Sequence, residues 1–500
     1  MEPRHQAAAG LGSCPVEILY LILRFLSPPE LHALSLVNKD FRQIAEPFLY
    51  SRIRWNWREA RPPPITQFIR TMLSRPELAA YITDAYLDGQ ISWEEFRFKF
   101  PKIPISSAEL DAASVFIRGS GVPYSDLWIE ELRQGRTDAF VALLLAQLPN
   151  LKCLYLANIF TRQSTLIGML FQSATCGSTD YRLPDFRHLR DVFFLHPTSE
   201  DELRGKKIKN TEDTLPLFYL PNVQRISASI ENPVQLTWPA AQLPVPSKLT
   251  SLALTTIREA YLGKLLAVTR DVETLHWHWS YQFVMGDEFI TPTIDLDGIG
   301  AAISHVRGTL SDLTITAVAS SDSCSIYIPG VETTGSLHAM VNFDKLKRLQ
   351  IPWSFLVGFT QKTTKRWQDL MPRNIEVLVI TDDLRDENED GIEPEYPEWE
   401  WDHPSMLGVL QSWMKNWKAY TPHLRRISLV LTMIYGWRDE CCPWLRQQLI
   451  ELGAQVGVQF DVIDLTEYQA ITDSKGNHRE VFLHDPITQT LTTGQLADYG

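Results

Sequence analysis

Apolar residues recur at helical spacing near the start of the chain and predict a short helix that begins at Val16. Pro15 suits the first turn of a helix, where its missing N–H would have no partner, and Glu17 suits the helix's positive end. The apolar positions cover more than one face of about three turns, namely Ile18, Leu19, Ile22, Leu23, Phe25 and Leu26. A helix with so wide an apolar surface is expected to pack on more than one neighbour.

Two further helices are predicted from their N-terminal signals. Ser27 and Glu30 have the spacing of a capping box, with Ser27 as the cap of the second helix. Its apolar positions follow at three-residue spacing, at Leu31, Leu34 and Val37. Asn38 can cap a third helix, which we expect Pro47 to interrupt because proline has no N–H to donate. Three short helices cannot bury this much apolar surface among themselves, so part of it is expected to face a partner.

The order of these residues resembles an F-box, a module that binds the Skp adaptor of a cullin–RING ubiquitin ligase. The resemblance departs at Cys14, where the family usually has leucine before the proline, and we expect a weaker contact there. The adaptor-binding positions that the resemblance implies are Pro15, Val16, Glu17, Ile18, Leu19, Ile22, Leu23, Leu26, Leu31, Leu34 and Val37. The alternative is a three-helix cap on a larger core, which apolar helical stripes alone would also fit.

A second pattern, a repeated unit, appears after residue 140. Its clearest copy runs from Leu148 to Leu156, with proline and asparagine at its second and third positions; further copies start at Leu183, Leu220, Leu249, Val272, Leu310, Leu346, Ile375 and Leu424. Proline before Asn or Asp ends a helix and turns the chain, and the alternating apolar residues that follow predict a short parallel strand. One such unit cannot cover its own apolar faces, so neighbouring units are expected to stack as a solenoid.

Amphipathic segments between the strands are expected to form outer helices, at 139–148, 261–268, 365–370 and 406–420. The repeated unit is similar to a leucine-rich repeat, and the phrase at 75–87 is similar to the start of the repeat body in many fungal F-box proteins. The predicted fold class is therefore α/β, with a small N-terminal three-helix F-box followed by an irregular leucine-rich-repeat-like α/β solenoid, or horseshoe. An ordinary α/β domain of helix–turn–strand units is the alternative.

These patterns divide the chain into five predicted segments. They are a flexible N-terminus at 1–13, the F-box at 14–57, a linker with an irregular first repeat at 58–137, the repeat body at 138–465 with an acidic loop at 382–404, and a C-terminal cap or tail at 466–500. At 500 residues and 44% hydrophobic content, with 15 tryptophans, the chain has ample material for a large core.

The composition also limits which kinds of partner we expect. No secretory signal or membrane-spanning run is visible, and the 6 scattered cysteines suit reduced thiols, so we expect a cytoplasmic or nuclear protein with no membrane partner. Eleven of the acidic residues lie between Asp382 and Asp402 against one base, Arg385, which accounts for −10 of the net charge of −13. With no basic stripe elsewhere, we do not expect nucleic acid as a partner. The acidic segment is either a solvated insertion or a recruiter of basic substrates, anchored by Trp399 and Trp401.

No catalytic or cofactor-binding motif is apparent. His276 and His278 would share one strand face with Trp277 turned inward, but no further metal ligands accompany them, and Cys441-Cys442 lacks metal or redox spacing. We therefore expect no enzyme activity, no cofactor and no metal. The F-box resemblance implies the substrate-recognition subunit of a Skp–cullin–F-box ubiquitin ligase, which would bind a protein substrate through the repeat body. The alternatives are a non-proteolytic F-box scaffold and an enzyme with an unfamiliar site.

Overall fold

The structure is a computed structural model that describes residues 14–57, 63–89, 102–161, 164–177, 180–195, 210–282, 291–320, 330–385, 398–432, 441–465, 471–472 and 478–479. The predicted flexible N-terminus and nearly all of the predicted C-terminal tail lie outside these residues, as does the middle of the acidic segment. The chain divides into two compact units, Met1–Phe194 and Leu195–Gly500.

The first unit combines helices with a parallel sheet. Its helices are α1 (Val16–Leu23), α2 (Pro28–Ser35), α3 (Lys39–Leu49), α4 (Ile65–Ser74), α5 (Pro76–Ala79), α6 (Ser107–Ser120), α7 (Ser125–Arg133), α8 (Thr137–Leu145), α9 (Asn158–Thr161) and α10 (Thr165–Cys176). Its strands are β1 (Arg52–Trp57), β2 (Asp84–Gly89), β3 (Cys153–Leu156) and β4 (Asp191–Phe194). Each strand pairs in parallel with the next, in chain order.

The second unit repeats the same arrangement. Its strands are β5 (Arg225–Ser229), β6 (Ser251–Thr255), β7 (Thr274–Gln282), β8 (Thr293–Asp295), β9 (Asp312–Ser320), β10 (Glu332–Thr334), β11 (Arg348–Pro352), β12 (Val377–Thr381), β13 (Arg426–Thr432), β14 (Gln459–Leu465), β15 (Ile471–Thr472) and β16 (His478–Arg479). The main sheet is parallel with the order β5-β6-β7-β9-β11-β12-β13-β14. Two separate pairs, β8 with β10 in parallel and β15 with β16 antiparallel, lie outside it.

Helices and 3₁₀ turns lie between most strands of the second unit, since parallel strands need long crossover connections. The helices are α11 (Thr211–Thr214), α12 (Glu259–Leu266), α13 (Leu296–Ile303), α14 (Trp353–Val357), α15 (His403–Met414), α16 (Trp417–Tyr420) and α17 (Cys441–Val456), with 3₁₀ turns at Leu215–Tyr219, Ser304–Val306, His338–Asn342 and Trp367–Asp369. The mixed α/β class and the parallel strands that the repeated unit predicts are confirmed.

Buried and half-buried side chains alternate along the strands, and the buried ones form the core, as the sequence predicts. In β6, Leu252 and Leu254 are fully buried, whereas Ser251, Ala253 and Thr255 on the other face are half-buried. The same phase holds in β7, where the Trp277 and Trp279 side chains are buried. Leucines and tryptophans at alternate positions therefore form the interior between each sheet and its helices.

Two features differ from the predictions. Pro47 does not interrupt α3, which continues to Leu49; it lies in the last turn, so only one intrahelical hydrogen bond is lost and the helix tolerates it. Segment 365–370 forms only a 3₁₀ turn at Trp367–Asp369, because Pro372 follows closely and a helix this short cannot propagate. The first strand of the parallel sheet, β1, lies at the end of the predicted F-box segment, and β2 lies in the segment predicted as a linker with an irregular first repeat.

Candidate functional site

The first helix, α1, has two apolar faces with different surroundings. Leu19 and Leu23 are 6% and 3% exposed and form the small core that α1 shares with the neighbouring helices. On the opposite side, the i, i+3, i+4 and i+7 positions remain open to solvent: Ile18, Leu21, Ile22 and Phe25 are 46%, 52%, 39% and 88% exposed. Four large apolar side chains on one exposed helix face form an apolar patch of the kind that is common at protein interfaces.

Further apolar side chains of the same module are exposed at the end of α2 and at the start of α1. Together they form what we call the helical apolar surface: Val16, Ile18, Leu21, Ile22, Phe25, Leu36 and Val37. Tyr20 is exposed as well, but its ring packs against Phe48 of α3 at a centroid distance of 5.5 Å. The surface is therefore carried by short helices that are held by α3.

Local hydrogen bonds fix the helices that present this surface. Glu30 Oε2 accepts hydrogen bonds from the backbone N–H and the hydroxyl of Ser27, each at 2.7 Å, and these bonds hold the pKa of Glu30 below its ordinary value. Asn38 Oδ1 accepts from the Phe41 N–H at 2.8 Å. Both predicted helix caps are thus present, and they set where α2 and α3 begin.

The predicted adaptor-binding residues occupy three environments. Those exposed to solvent are Pro15, Val16, Glu17, Ile18, Ile22 and Val37, those half-buried are Leu26 and Leu34, and those buried within the module are Leu19, Leu23 and Leu31. The exposed residues Leu21, Phe25 and Leu36 were not among the predicted positions. The i, i+3, i+4, i+7 spacing around Ile18 was the signal that could have found Leu21 and Phe25.

Helix α3 connects this module to the helices that follow it. Arg75, between α4 and α5, donates from Nη1 and Nη2 to the two carboxylate oxygens of Glu46, at 2.9 and 3.0 Å. The Tyr50 ring lies 6.5 Å from that of Phe68 in α4. Glu46 of α3 and Tyr50, the C-terminal cap of α3, therefore hold the module against the rest of the first unit.

Comparison with known families supports the assignment of this module. The family described as F-box-like matches residues 12–54. Residues 12–54 therefore form an F-box-like domain. The match ends within β1, so it covers the N-terminal helices and none of the strands that follow β1. No curated protein matches the chain.

Beyond the F-box-like domain, buried asparagines link successive strands of the second unit. Asn232, just after β5, donates from Nδ2 to the Thr256 carbonyl at 3.0 Å and accepts at Oδ1 from the Arg258 N–H at 2.7 Å. Asn210 makes the matching pair of bonds with the Ser229 carbonyl and the Glu231 N–H, each at 2.9 Å. Each amide thus satisfies buried backbone groups of the next turn along the sheet.

The acidic segment is in part a piece of the core. Asp383 is buried and its Oδ2 accepts from the Ala317 N–H of β9 at 2.7 Å. Trp401 is buried too, donating to the Gly358 carbonyl at 2.9 Å. Trp399 is half-buried and donates to the Trp401 carbonyl at 2.8 Å. At the described ends of the segment, the prediction of a solvated insertion is therefore wrong, because these side chains have partners within the fold; residues 386–397 lie outside the described residues.

The two histidines His276 and His278 share one strand face, as the sequence predicts. His276 and His278 are half-buried on the face of β7 opposite Trp277, and His278 Nδ1 shares a hydrogen bond of 2.8 Å with the Thr316 hydroxyl. Burial, with a smaller effect from Arg348, lowers the pKa of His276. Within the described ranges, no group of three or more His, Cys, Asp or Glu side chains could hold a metal ion. The described helices include none that is long and apolar enough to cross a membrane.

Proposed function

We propose that this protein is the substrate-recognition subunit of a Skp–cullin–F-box ubiquitin ligase. The observation that carries the proposal is the helical apolar surface, which lies on the F-box-like domain and exposes Phe25 almost completely. F-box domains typically bind the Skp adaptor. An apolar helix face of this kind buries well in a groove of a helical partner, and its exposure in the isolated chain is costly unless a partner covers it. The chain itself would perform no bond chemistry.

We further propose that the body is an irregular leucine-rich-repeat solenoid that holds the protein substrate. The parallel strands at successive repeats, the buried alternate leucines and the asparagine bonds after β5 all support this. In the leucine-rich-repeat consensus, an asparagine or cysteine stands three residues after the last strand leucine. Counted from Val223, that position is 231, and Asn232 is one residue later. A solenoid of this kind presents a long surface, which suits a receptor that places its substrate beside the ligase.

Affinity capture with mass spectrometry under proteasome inhibition tests the proposal. We expect the wild-type chain to capture the Skp adaptor and a cullin. The double variant Ile22→Asp, Val37→Asp should lose both, because two charges on the apolar surface cannot be desolvated in the interface. Val115→Asp, which puts a charge on an exposed apolar residue of α6, outside the F-box-like domain, is the control and should capture both proteins.

The set of captured proteins also distinguishes a ligase subunit from a non-proteolytic scaffold. Capture of the adaptor without a cullin would support a non-proteolytic scaffold, and unchanged capture by the double variant would contradict the adaptor interface. The free thiols of Cys14 and Cys176 fit the reducing cytoplasm or nucleus, where we propose that the protein works.

A further inference from the structure

A set of basic side chains lies at the starts of three neighbouring strands of the second unit. Both β11 and β13 begin with an arginine, Arg348 and Arg426, and the residue just before each arginine is also a base, Lys347 and Arg425. The parallel register aligns Arg348 with Val377 of β12 and Val377 with Arg426. The preceding turns meet as well, since Asn374 donates to the Asp344 carbonyl at 2.7 Å. Two pairs of bases that lie far apart in the sequence therefore come together at one edge of the sheet.

The cations form the outer layer of this edge. Glu376 lies between Lys347, at 3.4 Å, and Arg425, with which it forms a short ion pair. The side chains of Lys347 and Arg425 are 65% and 73% exposed, whereas that of Glu376 is 25% exposed. One carboxylate is thus shared by two cations that extend past it into solvent. Among these three side chains the net charge is +1.

The neighbouring ion pairs have the same layering. Arg348 pairs with Asp312 at 3.7 Å and Arg426 pairs with Asp461, and in each pair the arginine is the more exposed partner. We call the exposed bases of this edge the basic edge: Lys345, Lys347, Arg348, Arg373, Arg425 and Arg426. With the acids beside them (Asp312, Asp344, Glu376 and Asp461), the set has a net charge of +2, on a chain with a net charge of −13.

We propose that the basic edge binds an extended, carboxylate-rich segment of a partner protein. The strands β11 and β13 are two strand spacings apart, about 10 Å, which matches about three residues of extended peptide. Acidic side chains at that spacing would reach Lys347 and Arg425 at once, and bidentate bonds to the arginines would orient them. Nucleic acid or an anionic membrane fits less well, because the edge has a net charge of only +2 and its cations form no continuous row that could neutralise an array of phosphates.

The test uses the full chain and a fluorescein-labelled oligoglutamate peptide, with binding followed by fluorescence anisotropy. We expect binding that weakens as salt is raised, because the exposed charges are screened. The variant Lys347→Gln, Arg425→Gln should lower the affinity at least about tenfold, while Arg425→Lys, which keeps the charge, should lose less. The matched control is Arg270→Gln, Arg307→Gln, which removes two exposed bases from turns at the same ends of β7 and β9 and should bind as the wild type does.

Several results would overturn the proposal. These are no binding by the wild type, binding that is insensitive to salt, or an equal loss in the control variant. Tighter binding of single-stranded DNA or of phosphatidylserine vesicles than of oligoglutamate would assign the edge to one of those partners instead. The measurement does not involve the F-box-like domain, so the double variant Ile22→Asp, Val37→Asp should bind the peptide normally. The proposed ligase role and this inference can therefore fail independently.

Discussion

Glu46 and Arg75, which are 29 residues apart in the chain, form a bidentate ion pair. Glu46 also accepts a hydrogen bond from Arg42 Nε at 3.0 Å, and Arg75 Nε donates to Glu77 at 2.9 Å. The carboxylate of Glu46 is mostly shielded from solvent, whereas the guanidinium of Arg75 is 37% exposed. The pair links the last helix of the F-box-like domain to the turn between α4 and α5.

The first prediction concerns the contribution of this pair to stability. Glu46→Gln should lower the free energy of unfolding by about 1 kcal/mol, the upper end for a partly exposed pair. Hydrogen bonds from Arg75 lower the pKa of Glu46. The stabilisation should therefore be complete above the unfolded-state pKa of glutamate, about 4.3, and should disappear as the pH falls through the lower folded-state pKa.

Urea denaturation of wild type and Glu46→Gln across this pH range measures the difference. The double-mutant cycle with Arg75→Gln isolates the pair from the remaining bonds of each residue. A difference in stability that is the same at neutral pH and in strong acid would show that the ion pair is not its cause.

A second prediction separates the inner and outer faces of α1. Leu23→Ala should lower the stability of the F-box-like domain by roughly 2–5 kcal/mol, because Leu23 is 3% exposed and its truncation leaves a cavity in a small core. Ile18→Ala, on the exposed face, should leave the stability within about 0.5 kcal/mol of the wild type. Hydrogen exchange of the α1–α3 amides reports the difference directly. Equal protection in the two variants would mean that the two faces are assigned incorrectly.

How much of the structure can be predicted from the sequence depends on how far apart in the chain the interacting residues lie. Ser27, Glu30 and Asn38 predict helix starts correctly, because capping is a contact between residues close in the chain. Burial of Asp383 and Trp401 could not be predicted, since their partners, Ala317 and Gly358, come from distant strands and turns. An acidic composition indicates a solvated loop only when no such distant partner exists.

One helix in the irregular segment, α6, was missed although the sequence carries its signals. Ser106 and Glu109 form a capping box at the start of α6, and Gly121, with a φ of 78°, ends it in the left-handed region. The hydrophobic pattern of α6 is weak because the helix is only partly buried, so the apolar periodicity on which the prediction relied did not reveal it. In the F-box-like domain, apolar periodicity predicts the helices. It does not predict which helix face stays exposed to solvent, because that depends on how α3 packs against α1 and α2.

A third prediction tests the repeat body. Leu254→Asp should unfold the second unit cooperatively, because it places a charge without a partner among fully buried side chains and each repeat depends on its neighbours. Ala253→Asp, one residue earlier on the half-buried face of β6, is the control and should retain most of the melting transition. Limited proteolysis and thermal melting distinguish the two. Loss of protection confined to residues around β6 would contradict a solenoid with a continuous core.

The last prediction concerns Thr256, which follows β6 with a φ of 71°. A β-branched residue in the left-handed region costs about 1–2 kcal/mol, because its side chain crowds the backbone carbonyl. The conformation persists because the Thr256 carbonyl accepts from Asn232, which ties this turn to the one after β5. Thr256→Asn should relieve the strain and raise the free energy of unfolding by up to about 1 kcal/mol, since asparagine adopts this region more readily. Thr256→Gly should gain less, because glycine has more freedom in the unfolded chain.

The adjacent Thr255 is the matched control for this substitution. It lies within β6, and its hydroxyl donates to Ser229 Oγ at 2.6 Å. Thr255→Asn should therefore lower the melting temperature, because it removes that bond and places a poor strand former in the sheet. Thermal melts of the three variants beside the wild type give the order directly. If Thr256→Asn melts no higher than Thr255→Asn, the turn is not strained at Thr256. The hydrogen bond from Asn232 would then hold a backbone conformation that threonine adopts at no cost.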